Sequence, residues 1–175
     1  VRSPYEHPTN AGQMLAAYIF YARGCDGFVC EGMTFDCQHG NLQTTSVAFV
    51  TVAAVANDGA DDIIWRNLKL INWNTGNTVG DTNKECFPLQ AGRYDVVPAW
   101  SKNLLAEDIE FSQMATSDNP TLRQPEFSPI TVFRYENVTV KNCYFHDLTL
   151  SSNSATSIHC VTPTGCRNVV VTGNK

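Results

Sequence analysis

Basic runs are missing from this sequence. Twelve Lys and Arg against 17 Asp and Glu leave a formal net charge of −5. That balance argues against nucleic acid or an anionic membrane as the main partner. Long apolar runs are missing too. The longest, Val47 to Ala56, falls short of the roughly 18 to 20 residues a membrane span needs and reads as a buried strand. No Cys-x-x-Cys pair and no Cys/His cluster with zinc spacing occurs, so no metal site is assigned. No signal peptide is visible. Charged residues are 17% of the chain and hydrophobic ones 43%, which is the balance of an ordered chain. Its 175 residues suffice for one domain with a sizeable core.

What is present begins with seven cysteines, a number that points to an oxidising compartment. Cys160 with Cys166 is the first candidate disulfide and Cys37 with Cys86 the second, since all four fall at strand ends or in loops; spacing alone does not fix connectivity. Asn137-Val138-Thr139 is an N-glycosylation sequon.

Five segments align when written under one another. They are Gly27-FVCEGMTF-Asp36, Asp62-IIWRNLKL-Ile71, Asn103-LLAEDIEF-Ser112, Asn137-VTVKNCYF-His146 and Asn168-VVVTGNK. Their starts lie 35, 41, 34 and 31 residues apart, a period that marks a solenoid. Counting the lead residue as one, positions two and four hold Phe28/Cys30, Ile63/Trp65, Leu104/Ala106, Val138/Val140 and Val169/Val171. This is a period-two alternation with one buried face, and it makes Cys30 and Cys143 buried free thiols. Position six is Gly32, Asn67, Asp108, Asn142 and Gly173, the residue types that best tolerate left-handed backbone. After it the alternation restarts one residue later, with Met33/Phe35, Leu68/Leu70, Ile109/Phe111 and Cys143/Phe145 as the next inward pairs. Position five carries Glu31, Arg66, Glu107 and Lys141, an outward stripe of alternating sign suited to cross-strand pairing.

Strand, one-residue corner and second strand therefore recur. The expected third strand of each unit lies in Tyr18 to Ala22, Val47 to Val55, Asp95 to Trp100, Ile130 to Tyr135 and Ser157 to Val161, and the longest loop in Asn72 to Gln90. The expected fold is all-β, a right-handed parallel β-helix of about five coils filling residues 1–175 as one domain. Because the last repeat is cut at Lys175, the chain is expected to be a fragment of a longer solenoid. A sandwich of short antiparallel strands is the rival; it expects turn signals every 8 to 12 residues or so and leaves the repeated corner unexplained.

The coil pattern, as in Asn137-VTVKNCYF and its siblings, resembles the pectate-lyase-like β-helix superfamily. That resemblance implies a site on the outer face of one sheet, beside long loops, with a sugar chain along the helix axis. The catalytic motifs of its polygalacturonases and lyases are not matched beyond Asp61-Asp62. Within the expected frame, Asp95, Glu126, Arg134 and His159 are the candidate catalytic residues, and Arg93, Tyr94 and Trp100 the candidate substrate-binding ones. Two carboxylates such as Asp95 and Glu126 suit glycoside hydrolysis; an arginine beside a histidine suits uronate binding and proton abstraction in a lyase. Each also has a plainer reading. Asp95 and Glu126 flank strands where acids sit solvated, and Arg134 suits a surface pair with Glu136. Asp26, Asp61 and Asp62 sit in turns where aspartate bonds its own backbone, although calcium stays open as a cofactor. The expectation is a secreted or virion-surface protein acting on an acidic polysaccharide as a lyase or glycoside hydrolase; the alternative is a non-catalytic carbohydrate-binding adhesin, fibre or tail-spike segment. Polysaccharide is the expected partner, without nucleic acid or membrane, and no residue specifies oligomerisation.

Overall fold

The computed structural model describes residues 4–6, 14–36, 50–73, 84–92, 100–115, 128–149 and 158–175. Among these residues there is no helix, and 16 strands form three sheets. Sheet A contains β1 (Pro4–Glu6), β2 (Met14–Arg23), β5 (Val50–Asp58), β8 (Lys84–Cys86), β9 (Leu89–Ala91), β12 (Ile130–Phe133) and β15 (Val161–Thr164). Sheet B is ordered β16 (Arg167–Thr172), β13 (Tyr135–Lys141), β10 (Ser101–Glu107), β6 (Ile63–Arg66) and β3 (Val29–Glu31). Sheet C is ordered β14 (Tyr144–Thr149), β11 (Glu110–Ala115), β7 (Lys69–Ile71) and β4 (Thr34–Asp36). Strands pair in parallel, save β1, which runs antiparallel along β2. The chain passes from A to B to C and back to A, time after time, an arrangement consistent with a β-solenoid.

The corners explain why these sequences stack. Gly32, Asn67, Asp108, Asn142 and Gly173 all have φ between 51° and 69°, and each closes a strand of sheet B. The lead residues are left-handed as well: Gly27, Asp62, Asn103, Asn137 and Asn168 have φ between 50° and 73°. A further set, Gly24, Gly59, Arg134 and Gly165, turns the chain from sheet A into sheet B. Asn72, Gln113 and Asp147, at 59°, 54° and 52°, are left-handed too, each following the third residue of β7, β11 or β14 in sheet C. Only Gly, and to a lesser degree Asn and Asp, enter this region cheaply, so composition and corner agree.

Between corners the alternation holds. Ile63, Trp65, Leu104, Ala106, Val138 and Val140 are buried, and beyond the corner so are Leu68, Leu70, Ile109, Phe111 and Cys143. Leu104 is level with Ile63 and with Val138, so inward side chains lie over one another. Phe111 and Phe145 stack with centroids 4.9 Å apart. Val169 and Val171 keep the inward register opposite Val138 and Val140 but are 37% and 51% exposed. Expected to be buried, they stand open because no strand lies beyond β16 among the described residues. On the outside, Arg66 pairs with Glu31 and Lys141 with Glu107, each at 2.8 Å, the pairing that the alternating stripe implied.

Four expectations need correcting. The segment read as the longest loop contains β8 and β9, which fill the place in sheet A assigned to Asp95–Trp100; residues 93–99 lie outside the described ones. Lys84-Glu85-Cys86 and Leu89-Gln90-Ala91 carry no run of β-branched residues, and their pairing with β5 overrides that weak local preference. Ile130 to Tyr135 is not one strand, since Arg134 at φ 56° divides β12 from β13. The last strand of sheet A runs over Val161–Thr164 rather than ending at Val161. Finally, the Cys160–Cys166 bridge is absent: both are free thiols, as are Cys25, Cys30 and Cys143. β15 keeps the pair apart, and Cys166 Sγ turns to the carbonyls of Val132 and Thr164 at 3.4 and 3.7 Å. Cys37 of the second candidate pair lies outside the described residues.

Tyr135 joins distant parts of the chain. Its hydroxyl donates to the Ala60 carbonyl at 2.7 Å, both groups being buried, and burial raises its pKa, so it remains a donor. Tyr135→Phe should cost about 1–3 kcal/mol, because it leaves a buried carbonyl unpaired. Asp108→Val should cost about 1–2 kcal/mol by forcing a β-branched residue into left-handed backbone, while Asp108→Asn changes little. Urea unfolding midpoints at unchanged slope measure both; equal stability of the valine and asparagine variants would refute the corner's energetic role.

Candidate functional site

The corner between sheets A and B brings Trp100, Arg134 and Arg167 close together. Ser101 is level with Tyr135, and Ser101 N–H donates to the Arg134 carbonyl at 3.3 Å, so Trp100 and Arg134 occupy neighbouring passages of the chain. The Arg134 N–H donates in turn to Thr164 at 3.0 Å, and Gly165 follows beside the Arg134 side chain. Two residues on, Arg167 sends its guanidinium back along the corner, with Cζ 4.2 Å from the centre of the Trp100 ring. Lys102, Glu136 and Arg167 form one cross-strand row. Neither Arg134 nor Arg167 has an ion-pair partner among the described residues.

The structure thus brings together two of the expected site residues, Trp100 and Arg134. Stacking them required only their shared distance from the lead residues, and that spacing is kept. His159 lies elsewhere. It precedes β15 beside Cys160, whose carbonyl accepts from Ile130 at the start of β12, whereas Arg134 follows the end of β12. The four residues of that strand separate the two. Arg93, Tyr94, Asp95 and Glu126 lie outside the described residues. Sequence reasoning missed Arg167 and Lys102. Their signal was the spacing that singled out Trp100 and Arg134: all four stand within three residues before a lead asparagine.

The aspartates of the earlier turns are engaged in backbone and ladder bonds. Asp26 accepts from the Asp61 N–H at 2.8 Å, and Asp61 from the Lys102 N–H at 2.7 Å. Asp62 accepts from Asn103 Nδ2 at 2.8 Å; Asn103 accepts from Asn137 at 3.0 Å and Asn137 from Asn168 at 3.1 Å. The sequon asparagine is therefore a rung of this ladder. Asp58 is buried and meets the Tyr21 hydroxyl at 3.3 Å and Arg23 Nε at 3.7 Å. Among the described residues, no group of three or more His, Cys, Asp or Glu side chains is arranged to hold a metal ion.

A second polar cluster stands on the outside of sheet C. Glu110 Oε1 is 2.9 Å from Lys69 Nζ and 3.3 Å from His146 Nε2. The other ring nitrogen of His146 is 3.0 Å from Asp147, and Tyr144 stacks on the imidazole at 4.3 Å. The hydrogen bond from Lys69, aided by that from His146, holds the Glu110 carboxyl below the usual range; Arg66 does the same for Glu31. A carboxyl with a depressed folded-state pKa stabilises the protein above its unfolded value, and that stability is lost as pH falls through the folded one. The unfolding midpoint should therefore drop on acidification below about pH 4.3, the ordinary glutamate value. Lys69→Met should blunt the drop in urea titrations at pH values on either side.

Comparison of the chain with protein-family models, with curated proteins and with solved structures finds no match in any of the three.

Proposed function

We propose that this chain is a right-handed parallel β-helix of five coils, of the pectate-lyase-like kind, acting outside the cell or on a virion surface on an acidic polysaccharide. The sugar chain would run along the A–B corner. One observation carries this reading: the Arg167 guanidinium held over Trp100, on the corner where Arg134 stands without an ion-pair partner among the described residues. A guanidinium recognises a carboxylate through paired, planar N–H donors. Stacking on an indole fixes the plane of that fork while leaving its in-plane donors free. A side chain immobilised before binding loses less freedom when the ligand arrives. Two cations rooted on successive turns, whose backbones lie about 4.8 Å apart along the axis, suit repeated negative charges on an extended polymer better than a single small anion.

A lyase would use Arg134 beside the uronate carboxylate, where a positive charge eases removal of the neighbouring proton. A panel of uronate and neutral polysaccharides, incubated with and without calcium, separates the readings. Unsaturated sugars mark a lyase, new reducing ends a hydrolase, and retained affinity without either marks a binder. Arg134→Gln, Arg167→Gln and Trp100→Ala should each weaken uronate-polymer binding about tenfold, roughly one charge-assisted hydrogen bond. Affinity for neutral polymers matching that for uronates, or variants that bind like the wild type, would overturn the proposal.

A further inference from the structure

His146 stands between two carboxylates, with Nδ1 3.0 Å from Asp147 Oδ2 and Nε2 3.3 Å from Glu110 Oε1. Carboxylates accept and do not donate, and a neutral imidazole has a single N–H. One of the two contacts is therefore short of a proton unless the ring is an imidazolium. Lys69 already donates to Glu110 and cannot supply the proton missing at His146. With the ring protonated, the cations Lys69 and His146 face the anions Glu110 and Asp147, and all four charges are matched.

The position of the cluster gives this proton a mechanical role. His146 belongs to β14, the last strand of sheet C, which pairs with β11 on one side. On the other side the described chain offers Lys175, bonded to the Phe145 N–H and the Cys143 carbonyl at 2.8 and 3.0 Å, and Asn174, whose Oδ1 accepts from the Cys143 N–H at 2.7 Å. The groups facing the imidazole are Glu110 from β11, Lys69 of β7 through that carboxylate, and Tyr144 and Asp147 from its own strand; Lys175 brings the next cation on the open side. We propose that His146 is a pH-sensitive latch. Its imidazolium donates both to Glu110 across the strands and to Asp147 beside it; once the proton is lost, the one remaining N–H serves a single partner, the other contact sets acceptor against acceptor, and the hold of β14 on β11 loosens.

Amide hydrogen exchange, corrected for intrinsic rates, tests this at about pH 5 and about pH 8, the ends of the range over which histidine side chains change charge. In the wild type, protection of Tyr144, whose N–H donates to the Ile109 carbonyl at 2.8 Å, should fall roughly three- to tenfold at the higher pH, the scale of an exposed charge pair. Protection of Val138 to Val140 in β13 should stay level. Asp147→Asn keeps a residue that accepts left-handed backbone, and it should flatten the pH response, as should Glu110→Gln. A wild-type response of equal size in β13 and β14 would overturn the latch. So would a response that survives in both variants.

Discussion

Left-handed residues standing in columns are the constraint on which everything else in this molecule rests. A strand that turns without such a residue continues its alternation, and the next inward position falls on the outside. One residue at positive φ, repeated at the same place in each unit, resets that parity. Ile63, Leu104 and Val138 therefore share one apolar column, and Leu70, Phe111 and Phe145 another. Dry columns, paired outward charges and continuous sheets all follow from the columns of Asn, Asp and Gly. The loops may change length freely, because the corners and not the spacing hold the register; repeat starts 41 and 31 residues apart stack equally well.

That logic made much of the fold legible in the chain itself. The corner at position six, the two inward pairs and the charged stripe could be read because each depends on local chemistry: backbone tolerance, period-two burial and sign alternation. The lead residues carried the same Gly/Asp/Asn signature and were equally readable as corners, yet alignment alone marked only where they stood. Sheet A was harder. Lys84–Cys86 and Leu89–Ala91 are strands because β5 offers an edge to them, which is a property of a distant segment and not of their own residues. Arg134 resisted for a different reason: a long cation at positive φ is uncommon, so Ile130 to Tyr135 read as unbroken.

Site chemistry was less legible than architecture. Trp100 and Arg134 were brought onto one corner by counting back from the asparagines. Arg167 stands just before a lead asparagine, but its contact with the indole two turns back is one that no sequence spacing records. The Glu110–His146–Asp147 cluster was hidden in a similar way. His146 and Asp147 are adjacent in the chain, but Glu110 comes 36 residues earlier and becomes a neighbour only when β11 and β14 pair.

The exposed ladder that begins at Asp62 has a sense of direction. A carboxylate cannot donate, so Asn103 must present its amide hydrogens to Asp62 and its oxygen to Asn137, and the same choice is passed on to Asn168. A single acceptor-only side chain thereby orients every amide after it, aligning their dipoles along the solenoid axis with the positive ends toward the anion. In miniature, and built from side chains, this is the polarity that a helix obtains from its backbone.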